Sequence, residues 1–115
     1  MTKRIIELNS YEEYEESLNS ENIVIQFYAN WCGPCLLIKK NLQDILEANN
    51  DIIFFKINVD NEWAENILEE NEINCMPSFV FYKRGKIFDR FEGTNLKFVS
   101  DKAKALTNFM IEVAN

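Results

Sequence analysis

The apolar residues of this chain change period along its length, dividing it into alternating strand-like and helix-like segments. Ile5, Ile6 and Leu8 predict a short first strand. Ser10-Tyr11-Glu12-Glu13 fits a capping box at a helix start, and Tyr11, Tyr14 and Leu18 follow at helical spacing. Ile23 to Tyr28 is short, β-branched and aromatic, as in a strand buried on both faces. A helix after Cys35 then carries Ile38, Leu42, Ile45 and Leu46 on one face and ends at Asn49-Asn50-Asp51. Ile52 to Val59 predicts another strand, and Asp60-Asn61 suits the cap of a short helix bearing Trp63, Ile67 and Leu68. Ser78 to Tyr82 and Ile87 to Phe91 read as two strands whose short, Gly-containing junction, Lys83-Arg84-Gly85-Lys86, predicts a hairpin. Val99, Ala103, Leu106, Met110 and Val113 form a last helical stripe, with Ser100 as its candidate cap.

The predicted order is β-α-β-α-β-α-β-β-α. Early crossovers imply parallel strands and the late hairpin an antiparallel edge, so the fold class is α/β, a mixed sheet with helices on both faces. No linker, repeat or low-complexity tract interrupts the chain, and residues 1–115 are expected to form a single domain.

Composition narrows the function without naming it. Hydrophobic residues at 47% and charged residues at 27% are ordinary for a globular protein. A net charge of -7 argues against nucleic acid as a partner, since neutralising phosphates needs clustered Lys and Arg, and disfavours an anionic membrane surface. The N-terminal stretch from Met1 to Glu7 turns polar before an apolar h-region forms, and no apolar run approaches spanning length; neither a signal peptide nor a membrane segment is expected. Three cysteines, two close together and one alone, do not make a disulfide scaffold; redox-active thiols in a reducing compartment are the better reading.

The chemistry concentrates in Trp31-Cys32-Gly33-Pro34-Cys35. A thiol is a nucleophile only as thiolate, so its reactivity depends on what lowers its pKa. Cys32 falls where a strand gives way to a helix, so free backbone N–H groups and the positive helix end face its sulfur. Pro34 suits a first helical turn, where its missing N–H costs nothing. Gly33 is expected to let the backbone turn tightly and to leave the sulfur uncrowded. Cys35, one turn on, is near enough to attack a mixed disulfide and release the substrate. The competing readings are half of a zinc site and two unrelated buried thiols. Zinc would need carboxylates to complete its ligands, because the chain has no His and only Cys75 besides the pair; no metal is expected.

The run Phe27-Tyr28-Ala29-Asn30-Trp31-Cys32-Gly33-Pro34-Cys35, with Met76-Pro77-Ser78-Phe79 downstream and Gly85 and Gly93 beyond, resembles the thioredoxins over nearly the whole chain. The resemblance implies the thioredoxin fold, a central mixed five-stranded sheet flanked by four helices. It implies a cytoplasmic protein-disulfide reductase acting on disulfide-containing proteins and recharged by an NADPH-dependent thioredoxin reductase. No bound cofactor is implied, only the redox-active Cys32–Cys35 disulfide. Pro77 matches the family's cis-proline beside that disulfide, which leaves the Met76 backbone free to pair with an extended substrate segment. Trp31, Gly33, Pro34, Met76, Gly93 and Thr94 would then form a shallow docking surface around Cys32.

The chain departs from the family's pattern at several positions. Gln26 stands where the family usually has a buried Asp beneath the resolving cysteine, thought to accept that thiol's proton; a carboxamide cannot do so at physiological pH. Lys56, opposite, is expected to lose its charged partner and extend to water. Leu36 replaces a common basic residue, and Lys40 a proline that typically kinks the helix, so a straighter helix is expected unless packing bends it. Cys75 matches a cysteine that in some thioredoxins is glutathionylated or joins two monomers; otherwise it is a small semi-buried hydrophobe. The expected state is a monomer that Cys75 could link into a dimer. Gly33-Pro34 between the cysteines argues against an oxidase or isomerase, whereas Gln26 and Leu36 leave room for a partner-binding module without redox turnover.

Overall fold

The computed structural model describes residues 3–114, with side chains through residue 108. Five strands, β1 (Ile6–Glu7), β2 (Asn22–Tyr28), β3 (Ile53–Asn58), β4 (Ser78–Lys83) and β5 (Lys86–Glu92), form one mixed sheet in the order β1-β3-β2-β4-β5. β1 and β2 each pair parallel with β3, while β4 runs antiparallel to both β2 and β5. This is the expected mixed sheet with an antiparallel edge.

The helices are α1 (Tyr11–Ser17), α2 (Gly33–Leu37), α3 (Lys39–Ala48), α4 (Glu65–Glu70, entered through a 3-10 turn at Glu62–Ala64) and α5 (Leu96–Ala114). Side chains alternate across each strand. Ile23, Ile25 and Phe27 of β2 pack with Tyr14, Ala64 and Ile67 from the α1–α4 side. Val24 packs with Ile38, Leu42, Leu46, Val99, Ala103 and Leu106 from the α3–α5 side. β2 is therefore apolar along both faces because helices cover both.

The ends of the elements show which local signals held. The Ser10 hydroxyl accepts the Glu13 N–H at 3.1 Å, and the Glu13 carboxylate reaches back to the Asn9 N–H at 2.8 Å, one residue before the expected partner. The hairpin turns on Arg84 (φ 51°) and Gly85 (φ 80°), both left-handed, as a two-residue loop between twisted strands requires. A side chain at Gly85 would also meet the Leu18 carbonyl oxygen at 3.0 Å.

Three expectations need correction. The helix after Cys35 is not straight: it breaks at Ile38 (φ -90°, ψ -6°) although no proline is present. Ile38 is buried in the core, so packing bends this helix. Asn61 precedes the 3-10 turn but makes no side-chain cap; Asp60 turns elsewhere, as described below. Ser100 lies inside α5, whose start is capped by Asn95, the carboxamide oxygen accepting the Lys97 N–H at 3.1 Å. Counting α2 and α3 as one broken helix gives the expected four. The Met110 and Val113 side chains lie outside the described residues.

Candidate active site

The site stands at the C-terminal end of β2. Cys32 caps α2 from extended backbone (φ -86°, ψ 103°), and its sulfur accepts the Cys35 N–H at 3.2 Å. The two cysteines are joined as a disulfide with Cα atoms 5.3 Å apart. Pro34 lies in the first turn. The strand-to-helix junction thus directs a backbone donor at the sulfur, as the spacing predicted. That donor favours a thiolate at Cys32 once the pair is reduced.

The turn at Gly33 does not require glycine: its φ is not left-handed, and a Cβ there would meet nothing within 4 Å.

The downstream motif folds onto the pair. Met76-Pro77 is a cis peptide bond, as the resemblance implied. Met76 packs against the small cluster of Ala29, Cys32 and Cys35, joined by Tyr28 and Val59. Gly93 donates its N–H to the Pro77 carbonyl at 2.9 Å, from a backbone (φ 125°) that favours glycine, which ties the end of β5 to the proline. Thr94 follows it, exposed. Trp31, Leu36 and Leu37, close in sequence to the two buried cysteines, are 67%, 63% and 80% exposed.

Several residues complete the site that the sequence did not single out. The Trp31 indole N–H donates to both Asp60 carboxylate oxygens, at 3.2 and 2.9 Å. Beneath Cys35 opens a cleft of about 620 Å³, lined among others by Gln26, Lys56, Tyr28 and Glu7. Gln26 is buried and lines the same cleft as Cys35. Lys56, expected to lack a charged partner, instead lies 3.9 Å from the Glu7 carboxylate and 5.1 Å above the Tyr28 ring. The Tyr28 hydroxyl donates to the same carboxylate. Burial, followed by that bond and the nearby charge, pushes the Tyr28 pKa well above the usual range. Glu7 carries no signal in the sequence, because only the pairing of β1 with β3 sets it opposite Lys56.

Cys75 is exposed, not semi-buried, and its thiol donates to Glu92 at 3.0 Å. The bond to Glu92, with burial and the Glu92 charge behind it, raises the thiol's pKa; a bond with Ser78 works weakly the other way. Among the described residues no group of three or more His, Cys, Asp or Glu is arranged to hold a metal. Among the same residues, no helix is long and apolar enough to cross a membrane.

The Thioredoxin family model matches residues 5–110. Thioredoxin of Equus caballus is 32% identical over 106 residues, covering 92% of this chain and 99% of its own. The oxidised form of mitochondrial thioredoxin 3 from Saccharomyces cerevisiae superposes with a TM-score of 0.81 at 31% identity, covering 88% of this chain and 94% of that one. A chain from a structure concerned with thiol resolving in yeast mitochondrial 1-Cys peroxiredoxin via glutathione and thioredoxin systems has a TM-score of 0.80 at 30% identity. It covers 88% of this chain and 94% of its own. With a paired dithiol at the head of α2, the chain is a thiol-disulfide oxidoreductase and belongs to the thioredoxin family.

Proposed function

We propose that the protein is a thioredoxin-type protein disulfide reductase acting as one domain in the cytoplasm. The observation that carries this reading is the Cys35 N–H on the Cys32 sulfur, with exposed apolar side chains flanking the pair. Cys32, as thiolate, attacks a substrate disulfide and forms a mixed disulfide. Cys35 then attacks the Cys32 sulfur, expels the substrate thiolate and closes the internal disulfide. An NADPH-dependent thioredoxin reductase returns the pair to the dithiol.

Trp31, Met76, Gly93 and Thr94 would receive the substrate around Cys32, with Gly33 and Pro34 keeping the approach open and Pro77 forming the floor. An extended segment pairing with the Met76 backbone fits this shallow surface. Dithiothreitol-driven insulin reduction tests the reading, with NADPH consumption in the presence of a thioredoxin reductase as its second arm. Strong activity abolished by Cys32→Ser is expected in both. Activity equal to that of Cys32→Ser would overturn the reading in favour of a partner-binding module.

A further inference from the structure

Resolution of the mixed disulfide requires the Cys35 thiol to lose a proton before its sulfur can attack. Cys35 is buried, at 6% exposure, so that proton leaves through whatever adjoins the sulfur. What adjoins it is the cleft, and Gln26, which lines that cleft with Cys35, is a carboxamide that cannot take the proton. Of the described residues lining the cleft, Glu7 is the only carboxylate.

Its placement is specific. Glu7 stands opposite Lys56 in the β1–β3 register, and Lys56 stands opposite Gln26 in the β3–β2 register. The three side chains therefore form one row on the sheet face beneath α2, spanning about 10 Å at ordinary strand spacing. Two partners from two other strands orient the carboxylate: the Tyr28 hydroxyl donates to Oε2, and the Lys56 ammonium lies 3.9 Å from Oε1. Tyr28 and Lys56 also line the cleft, whose polar walls suit water.

We propose that Glu7 accepts the proton of Cys35 through water in the cleft, with Tyr28 and Lys56 as positioning residues. The inference rests on Cys35 being the resolving thiol. In the step, the Cys35 S–H proton passes to water and, by relay, a proton arrives on the Glu7 carboxylate. The Cys35 thiolate pair forms the bond to the Cys32 sulfur, and the substrate–Cys32 S–S bond breaks. Its electron pair leaves on the substrate sulfur, which takes a proton from solvent, and Glu7 returns its own to solvent through the open cleft. The protein dithiol is oxidised and the substrate disulfide reduced, with no further reagent.

The test follows the mixed disulfide with a peptide disulfide as probe, by rapid acid quench and intact mass. In Glu7→Gln, which keeps an acceptor oxygen for Tyr28, the mixed disulfide should form at the unmodified rate and decay about tenfold more slowly, below the usual general-base range of about 10²–10⁴ because water intervenes. Glu7→Asp retains a carboxylate and should decay within about threefold of the unmodified protein. An unchanged decay in Glu7→Gln would overturn the proposal, as would equal slowing of both steps or equal slowing in Asp and Gln variants, since each points to shape and not to proton transfer. The Cys35→Ser variant checks the underlying assignment. A mixed disulfide that persists there supports Cys35 as the resolving thiol, and one that decays as in the unmodified protein removes that assignment and the role of Glu7 with it.

Discussion

The Trp31 indole N–H is held by the Asp60 carboxylate, donating to both oxygens at 3.2 and 2.9 Å across the rim of the site. The indole is otherwise largely exposed. Asp60 therefore orders the indole of the residue next to Cys32 in the proposed docking surface, although the bond contributes little to folding. In Asp60→Ala the indole N–H finds water, so stability should shift by less than about 0.5 kcal/mol. Ordering the indole anew on binding should raise KM for a protein disulfide roughly two- to tenfold, the equivalent of one rotamer-rich side chain, with kcat little changed. Steady-state reduction kinetics decide it, and an unchanged KM would remove Asp60 from the docking surface.

Cys75 is accessible but guarded. The hydrogen bond to Glu92 and the charge behind it hold the thiol in its protonated form. Glu92→Gln should speed iodoacetamide labelling of Cys75 near pH 8 roughly threefold and accelerate diamide-induced dimers by a similar factor, because reactivity follows the thiolate fraction. Peptide mapping on protein with Cys32–Cys35 oxidised isolates the effect. Labelling that does not change would show that Glu92 leaves the thiol unaffected.

Gln26 is buried beside a lysine that already has a carboxylate partner. In Gln26→Asp, burial would raise the new carboxyl's pKa above the ordinary value. A group raised in the folded state supports folding below its unfolded pKa and loses that contribution as pH rises through the folded value. The variant should thus match the unmodified protein near pH 3 and fall about 1–3 kcal/mol below it at pH 7. A carboxylate nearer Cys35 should also shorten the life of the mixed disulfide. Urea unfolding across this range checks the first outcome and the quench experiment the second.

Tyr82 is buried; its hydroxyl donates to Asn71, and the Tyr14 hydroxyl lies 3.3 Å away. Burial first, then the neighbouring Tyr14, raise its pKa well above the usual range, as burial and Glu7 do for Tyr28. Both are raised groups, so their contribution is complete below the unfolded value near 10 and is lost above it. Lys83 and Lys3 are lowered by burial and act in the opposite sense, but only up to their unfolded value of 10.5. Above about pH 10.5 stability should therefore fall, by up to about 1.4 kcal/mol per pH unit for each tyrosine. Tyr82→Phe should flatten that slope while lowering stability at pH 7, where Asn71 loses its donor. A slope that stays the same would assign the alkaline loss to other groups.

The sequence alone determined whatever depends on neighbours along the chain. The Cys32–Cys35 spacing places one sulfur at the head of a helix and the other a turn later. The Ser10 cap and the hairpin at the Gly-containing Lys83-Arg84-Gly85-Lys86 junction likewise follow from residue type and position, and the stripe of Val99, Ala103 and Leu106 follows from helical period. Tertiary structure decided whatever depends on which strands lie side by side. Only the order β1-β3-β2 puts Glu7 against Lys56 and Lys56 against Gln26, giving the lysine a charged partner that Gln26 does not supply. Only the fold brings Asp60 to Trp31 and Glu92 to Cys75, pairs separated by 29 and 17 residues. The physical reason is range: capping and turn geometry act within about one helical turn, whereas an ionic or hydrogen-bonded contact between distant residues exists only once apolar burial has set the register of the sheet.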